Sequence, residues 1–283
     1  ISLTRAKDVI VEAFQEYSQN GGSNMAAALS FYSVFSLAPM LVVVVAVVGV
    51  FFGDDAARGE VFVALRSFIG VEQAQLVQEM VAAAGEHESG GVMASVIGIG
   101  TLLYGSSKVF NALRSGLNVI WQAKPDEDAG FLNTVKEYAL SLALVPGFGI
   151  LFLAMIISST LISAFGKMFA IQASLPEFLP RLVEVSLSWF FLSVMFGILF
   201  KVLPNLAIGW RHVSLGAGIT AALFVVGKTA IGLYLGNSST GSVFGAAGTL
   251  AVLLMWFYFS AQIFFFGASL THSMCKEVDF EEE

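Results

Sequence analysis

From Val185 to Lys276 the chain runs without one aspartate or glutamate, and two further acid-free stretches extend from Met25 to Phe52 and from Ser89 to Pro125. A soluble domain spreads carboxylates over its surface, so runs of this length point to a solvent other than water. Composition agrees, with 57% hydrophobic and 12% charged residues. Divided at its turns and charges, the sequence predicts an all-α polytopic integral membrane protein, a single membrane domain over residues 1–283. Six transmembrane helices are expected at about 25–52, 92–121, 138–165, 182–203, 213–235 and 244–272. Each reaches the ~20 residues that a ~30 Å hydrocarbon core requires.

Two segments stand outside these spans. Residues 1–24 hold an amphipathic helix, SLTRAKDVIVEAFQEYSQ, with Val9, Ile10, Ala13, Phe14 and Tyr17 on one face and charges on the other. Such a helix lies in the membrane surface or docks under the bundle. Residues 54–91 form a soluble insert, expected to fold as two amphipathic helices near 60–69 and 72–84; it carries seven acids against Arg58 and Arg66. Basic residues in short loops set orientation. Arg5, Lys7, Lys124, Lys136, Lys201, Arg211 and Lys276 fall on one side, and Arg58, Arg66, Lys167 and Arg181 on the other. Both termini are therefore expected in the cytoplasm and the insert outside. Pro39 divides the first span into a small, polar half and a greasy half, and its missing N–H makes it a candidate hinge or kink.

The second span carries the most chemistry. Steps of three and four residues give Thr101, Tyr104, Lys108, Asn111, Ser115, Asn118 and Gln122, all polar and all on one helical face. A polar stripe in a membrane helix turns toward other helices or a water-filled cavity. Lys108, Arg114 and Lys228 are basic groups within or near the spans, and no carboxylate lies inside a span to pair with them, since Glu137 and Glu184 sit at span edges. Each must reach water, a carbonyl or an anionic ligand. At ~1.5 Å of rise per residue, Lys108 and Lys228 lie ~6–7 Å from opposite faces of the core. Snorkelling to the nearest interface accounts for any one of the three alone, most readily for Arg114. Lys108 differs in having a whole polar stripe around it. A weaker stripe of Tyr258, Gln262, Ser269 and His272 runs along the last span, whose small-residue entrance FGAAGTLA suits close helix packing. The candidate substrate-binding set is thus Tyr104, Lys108, Asn111, Arg114, Ser115, Asn118, Lys228, Tyr258 and Gln262.

Several function classes are excluded. The single Cys275 rules out a disulfide framework and a cysteine-based zinc site, and His87, His212 and His272 are scattered. No P-loop or dinucleotide fingerprint occurs in context, and the basic residues are too dispersed for a nucleic-acid groove. No metal, cofactor or catalytic constellation is expected. The absence of paired membrane carboxylates argues against proton or cation pumping.

The segments AAALSFYSVFSLAP (26–39), LYGSSKVFNALRSGLNVIW (103–121), LPNLAIGWRHVSLGA (203–217) and FGAAGTLAVLLMWFYFSAQIFFFGASLT (244–271) occur in this order. In them the chain resembles the YihY/BrkB family of bacterial inner-membrane proteins across nearly its whole length. The resemblance implies six membrane helices, residence in the bacterial inner membrane and an envelope role. Members are named for resistance to serum killing, and some have been proposed as lipid or solute transporters. A ribonuclease label once attached to the family implies a metal-binding cluster of histidines and aspartates that this chain lacks. One departure stands at Ser269, where GASLT replaces the GAELT often found in the family and removes a carboxylate.

The expected function is transport or flipping of an anionic amphipath, a lipid or lipid-linked envelope precursor, with membrane lipids as partners and acidic head groups drawn to the basic stripe. A scaffold for envelope assembly, using the insert 54–91, is the alternative. Topology gives the first test. A cysteine at Ser89, in a Cys275→Ser background, is expected to react with a membrane-impermeant reagent added to intact cells, and one at Ser2 to be protected. Labelling of Ser2 with protection of Ser89 reverses the orientation.

Overall fold

The computed structural model describes residues 3–52, 108–123, 178–206, 208–236 and 246–279, with isolated helical residues at 59, 62, 74–75, 78–79, 147, 150–151, 154 and 158. Among the described residues there are helices and turns and no strand. The helices are α1 (Leu3–Gln19), α2 (Gly22–Phe52), α3 (Phe178–Val202), α4 (Trp210–Gly236) and α5 (Ala246–Asp279). Residues 108–120 add a further helical stretch. Three segments, Val185–Val202, Trp210–Gly232 and Leu250–Lys276, are long and apolar enough to cross a membrane. They fall on the fourth, fifth and sixth expected spans. The expected span at about 138–165, the insert 54–91 and the first half of the span at 92–121 lie outside the described residues, isolated positions apart.

The chain divides into two compact units. The first consists of residues 21–116 and 227–262. It opens at Gly21, whose φ of 68° is a left-handed conformation that glycine adopts at little cost. The Gly21 carbonyl accepts the N–H groups of Asn24 (2.9 Å) and Met25 (3.1 Å), which starts α2. Along α2 the small and polar residues Ala26, Ser30 and Ser36 are buried with Leu29 and Val34, whereas Phe31, Tyr32 and Phe35 are exposed. Ser30 and Ser36 donate back to the carbonyls of Ala27 and Ser33, so both of these buried hydroxyls are satisfied within their own helix. Small residues inward and aromatics outward is the arrangement of a helix whose surroundings are lipid. Pro39 lies within α2, which continues through it to Phe52.

The second unit comprises residues 1–20, 117–226 and 263–283. Its centre is a crossing of α4 and α5. A Cβ on Gly216 would lie 1.9 Å from Oγ1 of Thr271, and a Cβ on Gly267 would lie 2.2 Å from Oγ1 of Thr220. Each helix thus offers a glycine notch and, four residues on, a threonine knob that fills the other's notch, which fixes an antiparallel alignment. Thr220 donates to the Gly216 carbonyl and Thr271 to the Gly267 carbonyl, both at 2.7 Å. The hydroxyls are satisfied within their own helices, so the knobs present compact, self-contained surfaces.

α3 closes this core. Phe196 packs edge-on against Phe224 of α4 with ring centroids 5.7 Å apart, and Phe200 lies 5.2 Å from Phe264 of α5. The Trp189 indole N–H donates to the Gly218 carbonyl at 2.9 Å. At the end of α5, Val9 and Ala13 of α1 pack on Leu270, with Phe266 and Met274 alongside. Tyr17 meets Phe266 edge-on at 6.2 Å. The single apolar face expected for α1 therefore splits. Val9, Ala13 and Tyr17 are buried, while Ile10 and Phe14 are exposed.

The crossing makes a sharp prediction. Gly216→Ala or Gly267→Ala forces fully buried threonines to move and is expected to cost about 1–3 kcal/mol, as overpacked cores do. Gly232, where an added Cβ meets nothing within 4 Å, is the control. Gly232→Ala should be neutral or slightly stabilising, since alanine favours helix. Unfolding midpoints of the purified protein in detergent distinguish the three.

Candidate functional site

The stripe of the second span is described from Lys108 onward, and Tyr104 lies outside the described residues. Asn111 and Ser115 are exposed, and Lys108, Arg114 and Asn118 are half-buried. On the other side of the same helix Gly116, Leu117, Ile120 and Trp121 are buried. The expected polar face is thus the open face of a helix packed on its apolar side. Lys108, Asn111, Arg114 and Ser115 belong to one compact unit together with Lys228, Tyr258 and Gln262, which are half-buried; Asn118 belongs to the other.

The stripe ends in structural work. Gln122 has a φ of 49°, and its N–H and that of Ala123 return to the carbonyls of Val119 (3.2 Å) and Asn118 (2.9 Å). This pair of bonds is a Schellman cap, with glutamine where glycine is usual. Gln122 therefore terminates the helix. The Asn118 side-chain carbonyl accepts the Asn205 N–H at 2.9 Å, tying the cap to the turn 203–206 that follows α3. Beyond that turn the Lys201 ammonium donates to the Ile208 carbonyl and stands 5.8 Å from the centre of the Trp210 ring. Asn118 and Lys201 hold a loop, and nothing more is required to explain them.

A second cluster sits where α1 meets α5, and sequence reasoning missed its central member. The Glu16 side chain is 12% exposed, not on the solvent side of α1 where the charges were expected. Its Oε2 accepts from Nδ1 of His272 at 3.0 Å and from the Ser273 hydroxyl at 3.4 Å, and its Oε1 from Lys276. Lys276 also lies 3.8 Å from Glu12. Burial alone would raise the Glu16 carboxyl, but hydrogen bonds from Lys276 and His272 and the charges of both outweigh it and hold the group below the usual glutamate range. Helical spacing offered the signal, since Glu16 falls among Val9, Ala13 and Tyr17. The Trp121 ring lies edge-on against His272 at 5.2 Å. The buried Trp121 Nε1 and Ser269 Oγ have no hydrogen-bond partner. Among the described residues no group of three histidine, cysteine or acidic side chains could hold a metal.

Because the folded protein lowers the Glu16 value, its contribution is full above the ordinary glutamate range and is lost as pH falls through the folded value. Docking of α1 is expected to hold steady above about pH 6 and to weaken below about pH 4. Glu16→Gln should weaken docking at neutral pH by about 1–2 kcal/mol and flatten the acid response. The mobility of a nitroxide at Asp8, followed from pH 7 to 3, reads both.

Comparison with known proteins adds the family. A family model described as Virulence factor BrkB matches residues 13–283. A UPF0761 membrane protein of Pseudoalteromonas atlantica is 28% identical over 279 residues, covering 98% of this chain and 88% of the relative. One from Mannheimia succiniciproducens is 25% identical over 278 residues, covering 96% and 91%. No solved structure matches. An all-helical described structure with three membrane-length helices, and a family match that takes in nearly every residue, place the chain in one group: it belongs to the Virulence factor BrkB family.

Proposed function

We propose that the chain is a six-span protein of the bacterial inner membrane, with cytoplasmic termini and an outer insert at 54–91, that moves or holds an anionic amphipath. The observation carrying this reading is the open polar face of residues 108–118. Asn111 and Ser115 are exposed on a helix whose other side is buried, and Lys108 stands on the same face one turn before Asn111. In a membrane helix a hydrated polar face with a cation suits an acidic head group, with acyl chains left in the surrounding lipid. Arg114, Lys228, Tyr258 and Gln262 belong to the same compact unit and extend the proposed site; Asn118 is the member already engaged by a loop. Pro39 supplies a hinge within α2 in this scheme. The chemistry is binding and passage, not catalysis, so the chain is read as a non-enzyme with lipids as partners.

Lys108→Met tests it, because length is kept and charge removed. A desolvated charge-assisted contact is worth a few kcal/mol, against about one or less for an exposed interfacial charge. Binding of an acidic phospholipid is therefore expected to fall about tenfold or more in Lys108→Met, and little in the control Lys124→Met, which the sequence puts in a short loop between expected spans. Small, equal losses in both would mean that Lys108 snorkels, and the scaffold reading would take over.

A further inference from the structure

α1 touches α5 along the stretch from Phe266 to Lys276. Glu12 and Glu16 reach Lys276, while Tyr17 packs on Phe266, about 15 Å back along α5 at ~1.5 Å per residue. Lys276 closes the apolar segment Leu250–Lys276, and Phe266 lies within it. The glutamate edge of α1 thus faces the water end of the span, and the Tyr17 edge faces the hydrocarbon. Passing from Glu16 across the docked residues Val9 and Ala13 to Tyr17, and continuing round the helix, Ile10 and Phe14 come next, about 20° and 60° beyond Tyr17. They are 53% and 62% exposed. Asp8 and Gln15, also exposed, lie on the opposite side with Glu12.

We propose that α1 is a membrane-surface anchor, with its Ile10–Phe14 face inserted among the acyl chains of the leaflet that surrounds the end of α5. The helix then has three sectors. Val9, Ala13 and Tyr17 grip α5; Ile10 and Phe14 enter lipid; Asp8, Glu12 and Gln15 stay in water. Lys7 is exposed and follows Phe14 by about 20°, where its stem can lie along the apolar boundary and its ammonium reach a lipid phosphate. The occupant of the apolar sector is assigned to lipid because the contacts with α5 turn that sector toward the hydrocarbon level of the same span. A second protein copy would have to approach through the leaflet to cover it.

The test uses the full chain with Cys275→Ser, reconstituted in vesicles of phosphatidylethanolamine and phosphatidylglycerol. Nitroxides placed singly at 8, 10, 14 and 15 are collided with oxygen, which concentrates in lipid, and with a water-soluble nickel chelate. Labels at 10 and 14 are expected to favour oxygen several-fold over nickel, with the reverse at 8 and 15. Two positions per sector guard against one substitution disturbing the helix. Nickel access at 10 and 14 equal to that at 8 would show a wet face and overturn the proposal. Shielding of 10 and 14 from both reagents would show a protein cover, a second copy included, and would overturn it equally.

Discussion

Within a bilayer, lipid tails are as apolar as leucine, so two helices gain little by leaving them for each other. What holds α4 against α5 is therefore shape, the reciprocal seating of Thr271 at Gly216 and Thr220 at Gly267. The rest of the second unit depends on it. By fixing the rotation of α5, the crossing presents Phe264 to Phe196 and Phe200 of α3 on one flank. On another it presents Phe266 and Leu270 to α1. The glutamate cluster follows from the same rotation, since His272 and Ser273 are the two residues directly after Thr271.

The spans were legible in the sequence because length and the exclusion of acids are properties of single segments. Val185–Val202, Trp210–Gly232 and Leu250–Lys276 needed no partner to be recognised. The crossing was less legible. Small residues drew attention to FGAAGTLA at the entrance of the last span, whereas the close approach uses GAGIT (216–220) and GASLT (267–271). Both read Gly-Ala-x-x-Thr, but a notch and a knob declare themselves only when the facing helix is known. α1 shows the same limit. Hydrophobic periodicity found its apolar residues correctly but does not distinguish a face that meets protein from one that meets lipid, and it left Glu16 among the solvated charges.

The polar stripe divides in an instructive way. Helical spacing joined Lys108, Asn111, Ser115, Asn118 and Gln122 into one line, and the helical stretch 108–120 carries the first four. Yet the line ends in a cap, with Gln122 in a left-handed conformation and Asn118 bonded to the backbone of Asn205. Spacing cannot separate a residue that waits for a ligand from one that closes a helix, because a Schellman cap with glutamine carries no glycine to announce it. Lys108, Asn111 and Ser115 remain as the part of the stripe that the described local structure does not already employ as a cap.

The bond between Glu16 and His272 spans 256 positions of the chain. At ribosomal rates of about 5–20 residues per second, α1 is made roughly 10–50 s before its partner. Throughout that interval Glu16 has neither His272 nor Lys276 to compensate it, and a carboxylate so placed stays hydrated at the surface. Burial of Val9, Ala13 and Tyr17 against Leu270 and Phe266 must wait for the same moment. The docked state of α1 is thus a record that α5 has arrived, and a chain halted before α5 would keep α1 undocked and acid-bearing, which sets it apart from one in which α5 has been made.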